Sequence, residues 1–297
     1  MLPALATPLT RDGAVDEPAL SRLVEHVLAG GVHGLLPLGS TGEAASLDHA
    51  SRRQVLGAVV KAAGGRVPVL CGVVQSRLDD AIADVSAAAE LGAIAALVAP
   101  PYYYPIDQAT VLNFYRRLAA GSKLPILVYN IPQNTKVVIE PASLATLARE
   151  GAVVGIKDSS RDFDYFENVC VALRDRPEFR IFTGSDSMLL AALAMGGSGT
   201  ICAAANIAPR WVVNLFDAFE RGDLVAARTH QDSLIELASV IRAGVFPAGI
   251  KAGLNLQGIS EAWPAPPVAP LDEPGVGRMR ERLGKWGLLA AAPQLKS

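Results

Sequence analysis

The sequence predicts an α/β protein, a closed (β/α)₈ barrel of the TIM type with appended C-terminal helices, because three observations agree. Eight short β-branched or aliphatic runs recur along the first two hundred residues, and a helical pattern follows each run. The runs are apolar throughout, which is typical of parallel strands covered by helices. The glycine fingerprint of a doubly wound dinucleotide-binding sheet does not follow the first run. Eight such units favour a closed barrel.

The predicted strands are short and follow one another at regular intervals. They comprise residues 4–7, 34–38, 67–71, 95–98, 125–129, 153–157, 180–183 and 199–202. The clearest amphipathic helix has its apolar residues on one face: Leu20, Leu23, Val24, Val27 and Leu28. Another helix is predicted to start at a capping box formed by Ser76 and Asp79.

Strand patterns cease after about residue 221, and the rest of the chain predicts helices. The helical patterns cover residues 224–243, 249–256 and 275–289. No linker rich in Ser, Gly or charge divides the first two hundred residues. We therefore predict a catalytic barrel over residues 1–222 and a helical region over residues 223–297 that packs on it.

Composition limits the class of protein. With 51% hydrophobic and 19% charged residues, the 297-residue chain can bury a large core, which excludes disordered and fibrous proteins. Lys and Arg total 27 against 29 Asp and Glu, and no basic block occurs, so we expect no nucleic-acid partner. Small uncharged or weakly anionic partners remain.

Membrane and secretion signals are missing from the sequence. Apolar stretches such as residues 93–101 are far shorter than the roughly 20 residues that a spanning helix needs. The N-terminus lacks the basic, apolar and small-residue pattern of a secretory signal. The three cysteines, Cys71, Cys170 and Cys202, have no paired spacing and are expected as reduced thiols. We predict a soluble, cytoplasmic protein with no membrane partner.

In a barrel of this type, chemistry belongs to the carboxyl ends of the strands. The second predicted strand leads into Gly-Ser-Thr-Gly-Glu at residues 39–43, where backbone N–H groups with Ser40 and Thr41 can hold a carboxylate or phosphate. A plain strand-to-helix turn has the same composition. Tyr129 ends the fifth strand, where a phenol can relay protons or simply pack.

The sixth predicted strand ends in a lysine. Alternation along the strand places Gly155 and Lys157 on the same side, which we expect to face the barrel interior. A buried amine has a lowered pKa, and the neutral amine can attack a carbonyl carbon to form a Schiff base. In the alternative, the amine reaches water or pairs with Asp158.

The last two strand ends, at residues 183–187 and 196–201, are expected to line the substrate site. A phosphate site is often built there, but no basic residue supports one. The histidines do not cluster with carboxylates at the predicted barrel mouth: His26, His33, His49 and His230. We therefore predict no metal site.

Four motifs occur in a characteristic order along the chain. They are Gly-Ser-Thr-Gly-Glu at 39–43, Pro-Tyr-Tyr at 101–103, Tyr-Asn-Ile-Pro at 129–132 and Gly-Ile-Lys-Asp at 155–158. This ordered set resembles the dihydrodipicolinate synthase and N-acetylneuraminate lyase family over roughly the whole chain. Members of that family are (β/α)₈ class I aldolases that bind pyruvate, or another 2-oxo acid, as a Schiff base on the sixth-strand lysine.

The resemblance implies catalytic roles for four residues. Lys157 is the implied Schiff-base residue, and Tyr129 the implied proton shuttle to the substrate oxygen. Thr41 is expected to link Tyr129 to Tyr103, which in many members reaches the neighbouring subunit's site. Ser40 and Thr41, with their backbone amides, are expected to hold the pyruvyl carboxylate.

Substrate contacts are implied in the same way. Gly184 and Ile201 are expected to line the pocket, with Asn134 and Ser159 as further substrate-binding residues. The synthase branch usually carries an arginine where Asn134 stands, and the sialic acid lyase branch an acidic residue where Ser187 stands. The chain therefore looks closer to aldolases of 4-hydroxy-2-oxoglutarate or of 2-keto-3-deoxy sugar acids.

Together these patterns predict a metal-independent lyase that forms or cleaves a carbon–carbon bond between pyruvate and an aldehyde. The implied imine on the lysine supplies the electron sink, so we predict no cofactor. By the same resemblance we expect a homotetramer built from dimers. Three alternatives stay open. They are a 4-hydroxy-tetrahydrodipicolinate synthase that condenses pyruvate with aspartate semialdehyde, a dehydratase that uses the same imine, and a 2-oxo acid binding protein without turnover.

Overall fold

One parallel sheet of seven strands forms the centre of the computed structural model, which describes residues 1–289. The strands are β1 (Leu2–Pro3), β2 (Leu70–Val73), β3 (Ala95–Val98), β4 (Ile126–Asn130), β5 (Gly155–Asp158), β6 (Arg180–Thr183) and β7 (Gly199–Cys202). Their order in the sheet is β1-β7-β6-β5-β4-β3-β2, and every neighbouring pair is parallel.

An eighth segment closes this sheet into a ring. Residues 35–36 form single parallel bridges to Ala4 beyond β1 and to Val69 before β2. The N–H of Leu5 donates to the carbonyl of Leu36 at 2.9 Å, and the N–H of Leu70 donates to that of Leu35 at 2.8 Å. The predicted (β/α)₈ barrel is therefore confirmed. Its first two strands are shorter than the sequence pattern suggested.

Helices cover the outside of the ring. They are α1 (Glu17–Ala29), α2 (His49–Ala63), α3 (Leu78–Glu90), α4 (Gln108–Gly121), α6 (Pro141–Arg149), α7 (Phe163–Ala172), α8 (Leu189–Ala194) and α9 (Pro209–Glu220). The four-residue α5 (Pro132–Thr135) instead follows the carboxyl end of β4. The predicted apolar face of α1 is buried. The predicted capping box is not formed, because Arg77 is the N-cap of α3 and the Ser76 hydroxyl donates to the carbonyl of Tyr102 at 3.3 Å.

Strand alternation divides the apolar residues into two clusters. Leu127 and Tyr129 of β4 belong to the cluster that fills the barrel interior. Val128 of β4 and Ile156 of β5 belong to the larger cluster between strands and helices. Since side chains alternate along a strand, Lys157 faces the interior, as predicted.

Three further helices follow the barrel: α10 (Leu224–Ile241), α11 (Ala248–Leu256) and α12 (Glu273–Lys285). Leu234, Leu254 and Leu283 lie in the same hydrophobic cluster as the barrel helices. The division after residue 222 stays a prediction, and residues 290–297 of the predicted helical region lie outside the described ones. Within residues 1–289, no helix has the length and apolar character needed to cross a membrane, and the cytoplasmic location stays a prediction.

Candidate active site

Lys157 lies at the carboxyl end of β5, directly beside Tyr129 of β4 in the strand register. Its Nζ atom is 4.6 Å from the centroid of the Tyr129 ring, and the residue is only 4% exposed. Among residues 1–289 no carboxylate pairs with this amine and no acceptor hydrogen-bonds to it. The amine is thus buried and faces an aromatic ring rather than a counter-ion.

Asp158, the alternative partner of this lysine, is occupied elsewhere. Its carboxylate accepts a hydrogen bond from Asn130 Nδ2 at 2.7 Å and from the Ser160 N–H and hydroxyl at 3.1 and 2.9 Å. Burial raises the pKa of the Asp158 carboxyl, and these hydrogen bonds oppose the rise. The side chain lies on the opposite face of β5 from Lys157, so an ion pair between the two neighbours is not formed.

All the predicted site residues except Tyr103 line one cavity of about 490 Å³ at the carboxyl ends of the strands. They are Ser40, Thr41, Tyr129, Asn134, Lys157, Ser159, Gly184 and Ile201. A cavity of this size accepts a small organic acid. The strand-end rule and the family resemblance together therefore selected residues that the fold brings together.

The hydroxyl that contacts Tyr129 comes from a different residue than expected. Ser40 Oγ lies 3.2 Å from Tyr129 Oη. Thr41 is buried and lines the cavity, but its predicted link to Tyr129 is not found among residues 1–289. Ser40 is therefore the candidate for the hydroxyl relay, because adjacent residues of a tight turn direct their side chains differently.

The loop at residues 39–43 is held in a narrow turn. Leu38, just before it, and Glu43, its last residue, have φ angles of 63° and 56°, a region that is uncommon for residues other than glycine. A Cβ atom on Gly42 would lie 2.9 Å from the Leu5 carbonyl oxygen, so only glycine fits. The N–H groups of Ser40 and Thr41 donate to no acceptor within residues 1–289. The turn therefore offers two free donors.

A buried ion pair fixes this loop to the C-terminal helices. Lys251 of α11 is 1% exposed and pairs with the carboxylate of Glu43. Lys251 Nζ also donates to the Trp263 carbonyl at 2.5 Å, and Glu43 Oε1 accepts from the Ala265 N–H at 2.7 Å. Burial lowers the pKa of Lys251, while the charge of Glu43 acts against this shift. Sequence reasoning missed Lys251.

Gly184 leaves room for the lysine. A Cβ atom at this position would lie 2.8 Å from Lys157 Cε and would overlap the hydroxyl of Ser159. The predicted pocket-lining role of Gly184 thus has a steric basis, because the backbone of the loop after β6 approaches the lysine stem closely.

Tyr103 is the predicted site residue that lies apart. It is 78% exposed, and its ring packs edge-to-face on Tyr104 at 4.9 Å between centroids. Tyr102 instead lines a second cavity of about 320 Å³, which shares Ser40 and Tyr129 with the first. The implied contribution of Tyr103 to a neighbouring subunit's site stays a prediction.

The side of the cavity beyond Lys157 carries charges that sequence reasoning did not select. Arg161, in the loop after β5, and Arg242, at the end of α10, both line it. Arg242 Nη2 lies 3.3 Å from Oδ2 of Asp186, which is 2% exposed. Arg161 lies four residues after Lys157, so the rule that barrel chemistry lies at the carboxyl ends of the strands could have selected it. Arg242 comes from the C-terminal helices, and no motif indicated it.

The cysteines and the potential metal ligands of the chain do not form a second centre. Across the described part of the chain, no group of three or more His, Cys, Asp or Glu side chains is placed to hold a metal ion. Cys71, Cys170 and Cys202 are free and buried. Burial raises the pKa of Cys71 and of Cys202 to about 12, which leaves both thiols protonated at neutral pH.

Comparison with known proteins agrees with the geometry. A sequence profile of the dihydrodipicolinate synthetase family matches residues 1–284. The chain belongs to the dihydrodipicolinate synthetase family. It is 35% identical to an uncharacterised DapA-like lyase of Halobacterium salinarum, covering 97% of this chain and 94% of that protein. Identity to the 4-hydroxy-tetrahydrodipicolinate synthase of Methanoculleus marisnigri is also 35%, over 97% and 99% of the two chains.

Solved structures extend the family assignment to the whole fold. The YagE prophage protein of E. coli K12, crystallised in complex with pyruvate, superposes with a TM-score of 0.93 at 30% identity and covers 97% of this chain and 98% of its own. Dihydrodipicolinate synthase of Thermotoga maritima gives the same values. As a dihydrodipicolinate synthetase family member, the protein is a pyruvate-dependent lyase of the class I aldolase type.

Proposed function

We propose that the protein is a metal-independent aldolase that cleaves a 4-hydroxy-2-oxo acid to pyruvate and an aldehyde through an imine on Lys157. The observation that carries this proposal is the buried Lys157 amine beside the Tyr129 ring, in the wall of a cavity of about 490 Å³. A lysine without a counter-ion in a cleft is a candidate nucleophile, because no other residue from 1 to 289 pairs with its amine.

The first step forms the imine. The neutral amine of Lys157 attacks the C2 carbonyl carbon of the substrate, and the resulting carbinolamine loses water to give a protonated imine. Ser40 and Thr41 support this step from the neighbouring turn, where their N–H groups can donate to the substrate carboxylate. Holding the carboxylate fixes the carbonyl carbon in reach of the amine.

The second step breaks the C3–C4 bond. Tyr129, whose hydroxyl contacts Ser40 at 3.2 Å, gives its proton to the carbinolamine hydroxyl that leaves as water. The resulting phenolate then accepts the proton of the C4 hydroxyl as the electrons of the C3–C4 bond move into the protonated imine. The aldehyde leaves and an enamine remains on Lys157. Protonation at C3 and hydrolysis by one water then release pyruvate and restore the amine, so that atoms and charges balance.

Borohydride trapping tests this proposal. Incubation with pyruvate and borohydride reduces the imine to a stable secondary amine, which peptide mass spectrometry locates on the chain. We expect the adduct on Lys157 and its loss in Lys157→Met. The matched control Lys61→Met, an exposed position on α2, keeps the adduct. Modification at another lysine, or none at all, contradicts the proposal.

A second candidate is supported by the relatives. Several that align over 97% of this chain are 4-hydroxy-tetrahydrodipicolinate synthases, so condensation of pyruvate with aspartate semialdehyde is a specific alternative. Asn134 at the cavity wall argues against it, because the amide lacks the charge that binds a second carboxylate there. An assay coupled to a reductase decides, since robust turnover of the semialdehyde would replace the cleavage assignment.

The homotetramer of two dimers also stays a proposal, carried by the exposed Tyr103. If this residue completes a neighbouring site, mixing Lys157→Met with Tyr103→Phe restores part of the activity that each variant lacks, because mixed oligomers then contain an intact site. A monomer that sediments alone with full activity contradicts the proposal.

A further inference from the structure

The charge of the large cavity is unbalanced. Arg161 and Arg242 bring two formal positive charges to it, and Asp186 brings one negative charge. The protonated imine on Lys157 adds a third positive charge, which leaves a formal excess of two in the substrate complex. The first carboxylate of a 2-oxo acid neutralises one of them, so one positive charge in the cavity still lacks a partner.

Asp186 accounts for only part of this excess. Its buried carboxylate is 3.3 Å from Arg242 and accepts a hydrogen bond from the Ala204 N–H at 2.9 Å, so it holds one arginine in place. Arg161 is exposed and makes no hydrogen bond or ion pair with any other residue from 1 to 289. Burial and the charge of Arg161 both lower the pKa of Arg242, and the charge of Asp186 acts against this lowering. The two guanidinium groups therefore repel each other and gain from an anion between them.

The barrel topology sets the direction of the substrate. The carboxylate loop follows the second of eight barrel positions and Arg161 follows β5, the sixth, so the two loops lie across the ring from each other. A ligand whose first carboxylate lies at Ser40 and Thr41, with its carbonyl carbon at Lys157, extends toward Arg161 and Arg242.

We propose that Arg161 and Arg242 bind a second carboxylate at the far end of the substrate, so that the enzyme acts on 4-hydroxy-2-oxo dicarboxylic acids rather than on neutral sugar acid chains. Guanidinium groups bind carboxylates with charge-assisted, often bidentate hydrogen bonds, which hydroxyl groups do not match. This inference rests on the proposed imine chemistry of Lys157 and adds the identity of the distal group.

Two 2-oxo acids of similar shape test it. 2-Oxoglutarate ends in a carboxylate and 5-methyl-2-oxohexanoate in an isopropyl group, and each is titrated in the borohydride trapping assay. We expect the wild type to saturate with 2-oxoglutarate at a concentration at least about tenfold lower than with 5-methyl-2-oxohexanoate. Arg161→Gln and Arg242→Gln each raise that concentration by about tenfold. The concentrations at which pyruvate and the branched acid saturate the trapping reaction stay the same, because neither ligand has a distal carboxylate.

Control variants separate charge from folding. Arg228→Gln removes the same charge from the exposed first turns of α10 and is expected to leave all three ligands unchanged. Arg161→Gln changes a loop residue without partners among residues 1–289, so it tests the site even if Arg242→Gln unfolds. No preference for 2-oxoglutarate in the wild type, or equal weakening of all three ligands in both variants, overturns the inference.

A calorimetric arm distinguishes this failure from failure of the imine mechanism. Lys157→Met forms no imine, so it binds 2-oxoglutarate only through noncovalent contacts, and the effect of an arginine variant in this background reports on the distal carboxylate. We expect Lys157→Met to bind 2-oxoglutarate and the double variant Lys157→Met/Arg161→Gln to bind it about tenfold more weakly. If no ligand is trapped on Lys157 but the double variant still binds 2-oxoglutarate more weakly than Lys157→Met, only the proposed function is contradicted. If pyruvate is trapped on Lys157 but the two variants bind 2-oxoglutarate equally well, only the second carboxylate site is contradicted.

Discussion

Two buried lysines of this protein have opposite surroundings. Lys251 is 1% exposed and meets the Glu43 carboxylate and the Trp263 carbonyl. Lys157 is 4% exposed, and its amine lies beside the face of Tyr129 with no hydrogen-bond or ion-pair partner among residues 1–289. A buried polar group without such a partner lowers stability, so a residue of this kind is expected where it serves another purpose. The paired lysine holds the structure together, whereas the unpaired one is available for chemistry.

The largest expected effect comes from Lys157→Met, which keeps an unbranched side chain of similar length. Turnover falls by on the order of 10⁴-fold or more, because the proposed nucleophile is lost. The free energy of unfolding stays the same or rises, since an apolar group replaces an unpaired amine. Steady-state kinetics and urea unfolding measure both. Turnover within tenfold of the wild type would show that Lys157 does not form the imine.

Lys251→Met is expected to have the opposite profile. It leaves the Glu43 carboxylate buried without its cation, which lowers the free energy of unfolding by about 3–5 kcal/mol. The double variant Lys251→Met/Glu43→Gln recovers much of this loss, because the introduced amide is uncharged and keeps an oxygen for the Ala265 N–H. Urea unfolding gives both values. Equal stability of the single and double variants would contradict a structural ion pair.

A smaller effect is expected where the fold makes room for Lys157. Gly184→Ala introduces a methyl group 2.8 Å from Lys157 Cε, and we expect the loss in kcat/KM to be about tenfold to a hundredfold, or roughly 1–3 kcal/mol. Gly277→Ala is the matched control, because no atom lies within 4 Å of a Cβ there. Kinetics of the two variants measure the difference. An unchanged rate in Gly184→Ala contradicts the close approach.

The smallest effect concerns Asp158, beside Lys157 in sequence. Burial raises its pKa, so the native protein keeps this proton at pH values where the unfolded chain, with a pKa of about 3.9, has lost it. The native state then binds more protons, and the free energy of unfolding falls as pH rises through this window. Asp158→Asn removes this decrease in the free energy of unfolding, because the amide does not titrate. The stability of the variant relative to the wild type therefore rises with pH, by up to roughly 1.4 kcal/mol for each pH unit between the unfolded and the folded pKa of Asp158.

Urea unfolding from about pH 3.5 to about pH 7 measures this difference. Because the Asp158 side chain lies on the far face of β5, pyruvate trapping on Lys157 stays within about twofold of the wild type in Asp158→Asn. A constant stability difference across the pH range would contradict the raised pKa. Loss of trapping would show that Lys157 has a counter-ion after all.

Much of the barrel and of the lysine site follows from local patterns. Lys157 and Tyr129 were predictable because strand alternation fixes the side that each residue faces, and barrel chemistry lies at the strand ends. The hydroxyl partner was misjudged, since turn geometry rather than residue type selects Ser40 over Thr41. Lys251 and Arg242 were missed because contacts between distant parts of the chain leave no periodic pattern.

The tie between Glu43 and Lys251 also has a consequence for protein synthesis. A ribosome completes β5, and with it Lys157, well before it reaches α11. Until that helix emerges, the turn at residues 39–43 lacks the ion pair between Glu43 and Lys251. Under the proposed function, a growing chain therefore carries its imine-forming lysine for some time before the turn that receives the substrate carboxylate is joined to the C-terminal helices.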